Sequence, residues 1–206
     1  QSPQVRLRYE SLNRPAEIRA LNLKSGEQTV LKQTPVEGPF DAEAYRVERL
    51  WAIADDGARI PVSLIERSDA SGSGPLYLYG YGAYGASMDP WFSHARLSLL
   101  DRGWRFAIAH VRGGAEMGEY WYQQGKLEHK GNTFSDFIRC AEQLIEQGKT
   151  DPGHLVIAGG SAGGLLIGLG AAVYLLGNGR IMGASGILGG LIDTTWKIKT
   201  INGPLE

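Results

Sequence analysis

A single serine stands among glycines directly after a short apolar run. Residues 155–158 read Leu-Val-Ile-Ala, and residues 159–164 read Gly-Gly-Ser-Ala-Gly-Gly. The pattern G-x-S-x-G after a buried strand is typical of a nucleophile elbow, a turn so tight that only small residues fit around the serine. Such a turn raises the Ser161 hydroxyl above the strand end and leaves the Ala162 N–H facing a developing oxyanion. The alternative is a glycine-rich turn that contains a serine by chance.

Four glycines make this turn possible. Gly159 and Gly163 occupy the two glycine positions of the motif, and Gly160 and Gly164 loosen the turn further. Glycine has no Cβ, so it accepts backbone conformations and close approaches that other residues do not. The run of small residues therefore favours a turn that exposes Ser161.

Length and charge limit the class of protein. The chain has 206 residues, enough for one domain with a sizeable core or for one domain and part of another. Its net charge is −1 and the charges are mixed, so we expect no nucleic-acid partner. We also expect no metal and no cofactor. Cys140 is the only cysteine, which excludes a disulfide framework. The first residues lack the apolar core of a signal peptide, so we expect a cytoplasmic location, with a periplasmic or membrane-associated one as the alternative.

The hydrophobic pattern predicts two groups of elements, separated by a break at residues 35–39. Before the break, residues 5–10, 18–23 and 29–31 have the alternation of short antiparallel strands. After it come a hairpin of strands 45–54 and 60–65, strands 76–79, 104–111 and 155–158, a short helix over 96–102, and a helix over 133–147 capped by Asn132 or Thr133. Strands that alternate with helices and end in glycine-rich loops indicate a mostly parallel α/β sheet, with its active site at the carboxyl ends of the strands.

A serine nucleophile needs a base, and this chain offers no conventional one. A histidine oriented by a carboxylate normally activates the serine, and in α/β-hydrolases both follow the serine in the chain. All four histidines precede Ser161, and only Asp193 and Glu206 are acidic residues beyond it. We expect His154 at the opposite end of the elbow strand, His110 as a hydrogen-bonded core or loop residue rather than a base, and the other two histidines on surface loops.

An earlier strand ends in a second group of interest, Tyr79-Gly80-Tyr81-Gly82. A phenol at the carboxyl end of this strand could donate a hydrogen bond to an oxyanion, alongside the Ala162 N–H. The alternative is an aromatic pair that packs at the strand end.

Five sequence stretches carry a family resemblance. They read Tyr-Gly-Tyr-Gly-Ala-Tyr-Gly (79–85), Arg-Leu-Ser-Leu-Leu-Asp-Arg-Gly (96–103), His-Val-Arg-Gly-Gly (110–114), Gly-Asn-Thr-Phe-Ser-Asp-Phe (131–137) and Gly-Gly-Ser-Ala-Gly-Gly (159–164). In this order and spacing they resemble the prolyl oligopeptidase family of serine peptidases, and its oligopeptidase B members most closely. The similarity extends over roughly residues 1–168.

The resemblance implies an α/β fold with a particular layout. Residues 1–44 would be the last strands of a β-propeller, and residues 45–168 the N-terminal half of an α/β-hydrolase catalytic domain, truncated relative to the family. Residues 169–206 would be a divergent, glycine-rich apolar tail.

The resemblance also implies an activity and its residues. Ser161 would be the nucleophile, and the Tyr81 hydroxyl and the Ala162 N–H would form the oxyanion hole. The substrates would be short peptides. Cleavage after Lys or Arg follows only by analogy with oligopeptidase B, because no matching acidic segment follows the serine.

The chain departs from this family beyond residue 168. Between Gly163 and Ile192 the only charged residue is Arg180, and about 20 apolar residues suffice to cross a bilayer. Residues 163–192 weakly resemble a transmembrane segment of the YeeE/YedE family of transporters, so we expect membrane contact only through this stretch. A buried, glycine-rich helix pair is the alternative.

The two resemblances together suggest a chimeric or truncated chain. We therefore expect an incomplete and inactive serine oligopeptidase, with a membrane-associated fragment without catalytic function as the alternative. The oligomeric state is not predicted.

Overall fold

The structure of the chain is a computed structural model. It describes residues 3–161 and 163–164 with their side chains, and the backbone of residues 184–185 and 197–198. The tail proposed from residue 169 onward and most of the apolar stretch 163–192 lie outside the described residues. Within the described part, no helix has both the length and the hydropathy needed to cross a bilayer.

A small antiparallel sheet forms the first part of the chain. Its strands β1 (Gln4–Ser11), β2 (Arg14–Asn22) and β3 (Gln28–Gln33) are hydrogen-bonded in the order β1-β2-β3. The side chains of β3 are exposed throughout, but Leu12, between β1 and β2, is buried against the rest of the molecule. The three short antiparallel strands predicted before the break are therefore present and pair with one another.

A five-stranded sheet is the centre of the molecule. Its strands occur in the order β4-β5-β7-β6-β8. In chain order they are β4 (Tyr45–Ile53), β5 (Arg59–Arg67), β6 (Leu76–Gly80), β7 (Arg105–Ala109) and β8 (Leu155–Ala158).

The five-stranded sheet is mixed, and the expectation of a mostly parallel sheet is wrong. β6 is parallel to both β7 and β8, whereas β5 is antiparallel to β4 and to β7. The cause is the tight turn at residues 54–58, because a hairpin connection joins only antiparallel strands. The three parallel strands lie together, so their carboxyl ends meet at one edge of the sheet.

Among the residues up to 161, three helices accompany this sheet: α1 (His94–Leu100), α2 (Glu119–Gln123) and α3 (Lys130–Glu146). Short 3-10 turns occupy Ala42–Ala44 and Leu127–His129, and a two-stranded antiparallel pair joins β9 (Ala184–Ser185) to β10 (Lys197–Ile198). α3 begins three residues before its predicted start and ends, as predicted, ahead of Gly148, whose φ of +67° suits glycine.

Apolar side chains cover both faces of the five-stranded sheet. One face packs against α3 through a cluster that includes Val62, Leu64, Leu78, Ala107, Phe137, Cys140, Leu144 and Ile157. The other face packs against α1 and the small sheet through Leu12, Tyr45, Ile65, Leu100, Phe106 and Ile108. With both faces buried, the strand ends and the loops that follow them are what the sheet offers for chemistry.

A buried carboxylate ties the carboxyl end of β5 to the amino end of β7 and to the segment before β8. Glu66 accepts a hydrogen bond from Arg105 Nε at 2.6 Å and another from Lys149 Nζ at 2.9 Å. Arg105 also donates to the carbonyl oxygens of Lys149 and Gly72 at 2.8 and 2.7 Å. Burial raises the pKa of Glu66, but the hydrogen bonds from Arg105, Arg46 and Lys149 outweigh it and lower the pKa to about 2.

Glu66 should therefore make part of the stability pH-dependent. Its folded-state pKa lies below the unfolded value, so its contribution is present above about pH 4.5 and is lost as the pH falls toward 2. We expect Glu66→Gln to lower the free energy of unfolding at pH 7 by about 3 kcal/mol, because Arg105 stays buried without its carboxylate. The variant should also lose less stability than the wild type between pH 5 and pH 3, in urea unfolding followed by circular dichroism.

The exposed Glu37 provides the matched control for this measurement. Glu37→Gln should leave both the stability and its pH dependence close to those of the wild type. An equal effect of the two substitutions would show that the acid sensitivity does not come from the Glu66 network.

Candidate active site

Ser161 lies at the apex of the turn after β8. Its φ is +50°, in the left-handed region that side-chain-bearing residues seldom occupy. Ser161 is exposed, whereas Gly163 and Gly164 are buried, and the Gly164 N–H donates to the Gly160 carbonyl at 3.2 Å. The backbone thus has the strand–turn–helix form expected for the motif, with the serine on the outside of the turn.

Gly163 allows the turn to pack directly on the loop after β6. A methyl group at Gly163 would lie 2.9 Å from the Gly80 carbonyl oxygen, 2.9 Å from Tyr81 Cα and 3.1 Å from Tyr81 Cδ2. The cause is the sheet order, because β6 and β8 are parallel neighbours and both chains leave the sheet at the same edge. The structure therefore brings the predicted serine turn and Tyr81 together. Ala162, expected to supply a backbone N–H, lies outside the described residues.

A second tyrosine hydroxyl lies beside the same turn. The hydroxyl oxygen of Tyr79 is 3.9 Å from the position of a Cβ added to Gly160. Burial raises the pKa of Tyr79, and the neighbouring Tyr81 raises it further. Tyr79 therefore stays protonated at neutral pH. The sequence analysis included Tyr79 in the stretch 79–82 but gave the oxyanion role to Tyr81.

Glycines bring three loops into backbone contact beneath Tyr81. Gly82 has a φ of +60°, and a methyl group there would lie 2.5 Å from both Thr133 Cγ2 and Val111 Cγ2. Gly113 has a φ of +99°, and a methyl group there would lie 2.9 Å from the Gly125 carbonyl oxygen. A side chain at either position would separate the loops, so the backbone following Tyr81 has a single path.

The first turn of α3 holds these loops by hydrogen bonds. Lys130 Nζ donates to the Gly82 carbonyl, and Thr133 Oγ1 lies 2.7 Å from the Arg112 carbonyl oxygen. Asn132 Nδ2 donates to the Gln124 carbonyl at 2.9 Å. The prediction that Asn132 or Thr133 caps the helix is therefore wrong: both lie inside α3 and their side chains bind neighbouring loops.

A buried ion pair fixes the loop after β7. The fully buried Asp136 accepts hydrogen bonds from the Arg112 backbone N–H at 3.0 Å, from Nε at 2.8 Å and from Nη2 at 2.6 Å. The hydrogen bond with Asp136 raises the pKa of Arg112, and burial raises that of Asp136. Three donors on one carboxylate favour the ionised pair, and Arg112 keeps its charge in any case.

Sequence reasoning assigned no role to Lys130, Arg112 and Asp136, and it assigned Thr133 only a role as a helix cap. A usable signal was present, because Thr133 and Asp136 lie three residues apart and next to the predicted apolar face of α3. Polar residues on a face turned toward a sheet indicate buried hydrogen bonds. The partners on other loops could not be read from spacing alone.

Two of the four histidines, His154 and His110, lie as expected. His154 is exposed at the amino end of β8, with Nδ1 2.8 Å from Asp151, which confirms its predicted place. His110 is buried, and its Nε2 lies 2.8 Å from Ser63 Oγ, as expected of a hydrogen-bonded core residue. His94 and His129 are exposed but belong to α1 and a 3-10 turn rather than to loops.

The described hydrogen bonds connect no histidine to Ser161. Within the same residues, no cluster of three or more His, Cys, Asp or Glu side chains has the arrangement of a metal site. The geometry thus provides an exposed serine in a turn whose glycines lie beside two tyrosines.

Comparison with known proteins gives this geometry a family. The model of the prolyl oligopeptidase family matches residues 90–173. Dipeptidyl aminopeptidase BI of Pseudoxanthomonas mexicana is 50% identical over 167 residues, which are 80% of this chain and 23% of that protein. The part of this chain that the family model matches, residues 90–173, belongs to the prolyl oligopeptidase family.

Solved structures of family members agree with the fold. Oligopeptidase B from Leishmania major matches 84% of this chain at a TM-score of 0.75 and 45% identity, and the match covers 24% of that structure. Oligopeptidase B from Trypanosoma brucei, with covalently bound antipain in a closed form, gives a TM-score of 0.76 at 43% identity, again over 84% of this chain and 25% of that structure. This chain spans about a quarter of the length of these relatives.

The contact between the serine turn and Tyr81 can be tested with a pair of alanine substitutions. Gly163→Ala should lower the free energy of unfolding by about 1–3 kcal/mol, because its methyl group meets backbone atoms that have no room to move. Gly160→Ala should change it by less than about 0.5 kcal/mol, because its methyl group meets only Tyr79 Oη, at 3.9 Å. Urea unfolding of the two variants makes the comparison, and equal losses would contradict the close approach.

Proposed function

We propose that Ser161 is the nucleophile of a serine peptidase, with the Tyr81 hydroxyl as one oxyanion donor. The observation that carries the proposal is the positive φ of an exposed serine at the end of β8, in a turn packed on Tyr81. Two facts from the family support it: the match to prolyl oligopeptidases, and a covalently bound compound in the related Trypanosoma brucei structure.

In the proposed reaction, Ser161 Oγ attacks the carbonyl carbon of a peptide bond. Negative charge develops on the carbonyl oxygen, and the Tyr81 hydroxyl and the Ala162 N–H each donate a hydrogen bond to it. One such donor typically contributes a factor of about 10²–10³ to the rate. The role of Tyr81 depends on a fixed loop, which the glycine contacts and the Lys130 hydrogen bond at Gly82 supply.

We propose short peptides as the substrate class, with cleavage after Lys or Arg as in oligopeptidase B. The names of the relatives support a peptidase, and the Leishmania and Trypanosoma proteins are oligopeptidases B. The residues that would bind a basic side chain are not assigned to any part of this chain.

We assign residues 1–44 to the end of a β-propeller and residues 45–168 to the first half of an α/β-hydrolase domain. The three-stranded antiparallel sheet, separate from the five-stranded one, supports this division. The five-stranded sheet, which ends in the serine turn, supports the second assignment.

The proton acceptor for Ser161 is the missing part of the proposal. No histidine follows Ser161 in the 206 residues, and His110 and His154 are engaged elsewhere. We therefore propose that the isolated chain is a slow catalyst, in which Ser161 attacks with a water molecule as the proton acceptor, assisted only by the oxyanion donors and substrate binding. Such residual catalysis is about 10³–10⁴ over the reaction in water.

A fluorogenic amide of arginine tests the nucleophile and the missing base together. We expect slow, Ser161-dependent release of the fluorophore from the purified 206-residue chain, which Ser161→Ala abolishes and Tyr81→Phe lowers at least tenfold. Labelling of Ser161 by a fluorophosphonate, followed by mass spectrometry, should be slow for the same reason. An unchanged rate in Ser161→Ala would contradict the nucleophile, and turnover above about 1 s⁻¹, typical of complete enzymes, would contradict the missing base.

A further inference from the structure

The loop between β6 and α1, residues 81–93, carries Tyr81 and is here named the tyrosine loop. Polar side chains from outside the loop bind its backbone at four places. Two side chains donate to loop carbonyl oxygens: Lys130 Nζ to Gly82, and Arg96 Nη1 to Trp91 at 2.8 Å. Two carboxylates accept from loop N–H groups: Glu116 Oε1 from Met88 at 2.9 Å, and Glu10 Oε1 from Phe92 at 3.1 Å. The loop is thus held by side chains spread over its length.

Glu116 is the unusual member of this set because its carboxyl group is buried beside few hydrogen-bond donors. Its side chain is 10% exposed, and among the described residues its Oε2 has no hydrogen-bond partner. Its Oε1 lies 3.7 Å from His110 Nδ1, which is beyond hydrogen-bond distance, and Arg49 is a cation whose charge interacts with it. Burying a carboxyl group for one N–H donor adds little stability, so the Met88 hydrogen bond indicates a further role for Glu116.

The surroundings of Glu116 give its carboxylate a fixed place. His110, 2% exposed, follows β7 and lies behind the carboxylate. His110 Nε2 is 2.8 Å from Ser63 Oγ on β5, and its backbone carbonyl accepts a hydrogen bond from Trp121 Nε1 at 3.0 Å. Ser63 and its neighbours are paired with β7 in the sheet. A line of contacts therefore runs from the rigid sheet through Ser63, His110 and Glu116 to the Met88 N–H.

The Met88 contact complements the one at Gly82. Lys130 and Thr133 fix the tyrosine loop one residue beyond Tyr81, and Glu116 fixes it seven residues beyond Tyr81. Between these points the chain contains two residues of positive φ, Tyr84 and Gly85, and the Gly85 N–H donates to the Gly113 carbonyl at 3.0 Å. With both ends of this turn bound, the backbone at Tyr81 has little freedom to move away from the serine turn.

We propose that Glu116 is a positioning residue for Tyr81, acting by holding the Met88 end of the tyrosine loop against the sheet. The inference rests on the proposed function of Tyr81 as an oxyanion donor. It requires the oxygen acceptor of Glu116 rather than its charge. Glutamine, which keeps an acceptor oxygen at nearly the same place, should therefore replace Glu116, and leucine should not.

Amide hydrogen exchange in the 206-residue chain tests the contact itself. In Glu116→Leu, protection of the Met88 amide should fall about tenfold or more, since hydrogen bonds to charged groups contribute on this scale. Protection in β7 should stay unchanged. In Glu116→Gln, protection at Met88 should stay within about threefold of the wild type, while the Met88 amide proton resonance shifts because its acceptor has lost the charge. The exposed Glu119 supplies the control, and Glu119→Leu should leave Met88 unaffected.

Ester hydrolysis tests the action through Tyr81. The Ser161-dependent burst with p-nitrophenyl acetate is measured for the wild type, Tyr81→Phe, Glu116→Leu and the double variant. If Glu116 acts through Tyr81, Glu116→Leu lowers the burst rate about as much as Tyr81→Phe, and the double variant is no slower than Tyr81→Phe alone. Glu116→Gln, which preserves the loop, should keep the rate within about threefold and remains informative if the leucine variant does not fold.

Each result separates this inference from the function it rests on. Unchanged Met88 protection in Glu116→Leu, multiplying losses in the double variant, or a tenfold loss in Glu116→Gln would each overturn the positioning role while leaving Ser161 and Tyr81 in place. If Ser161→Ala or Tyr81→Phe instead gave the same burst rate as the wild type, the proposed function would be overturned, and the positioning role with it.

Discussion

Direct contact between backbones at one edge of the sheet is the constraint on which the site depends. The loops at Gly82, Gly113 and Gly125 meet without side chains between them, and the turn at Gly163 meets Gly80 and Tyr81 in the same way. Close packing of this kind leaves no space for even one methyl group. The serine and the tyrosine are then held near each other by the shape of the main chain rather than by a bond between their side chains.

Charged groups are buried at both ends of the sheet, but they do different work. At the amino ends of the parallel strands, Glu66 and Arg105 join strands and loops that lie far from the serine. At the carboxyl ends, Arg112 pairs with Asp136 on α3 and so fixes the loop on which Gly82 packs. Between the two ends the faces of the sheet are apolar. Burial of the apolar side chains thus stabilises the fold, and the ionic groups fix where particular loops leave the sheet.

Local pattern was enough to predict the strands, the long helix and the serine turn. Each of these is encoded by neighbouring residues: alternation for β4, helical spacing for α3, small residues around Ser161. The β4–β5 hairpin was predicted from its turn, but the order β4-β5-β7-β6-β8 and the antiparallel pairing of β5 with β7 were not, because they join residues distant in the chain. The same holds for Lys130, Arg112 and Glu116, whose partners are backbone atoms or side chains on other loops. The sequence shows that positions 82 and 113 are glycines, but not why. The reason is that a side chain at either position would collide with a neighbouring loop.

One hydrogen bond links the small sheet to the tyrosine loop, and it bears on the order in which the chain folds. Glu10 in β1 accepts from the Phe92 N–H, a contact between residues 82 positions apart, and Leu12 beside it is buried with Tyr45 and Ile65. Contacts between distant residues form late, because a long segment must be closed before they contribute. We therefore expect the loop that carries Tyr81 to complete its packing late in folding, together with the other contacts that join distant parts of the chain.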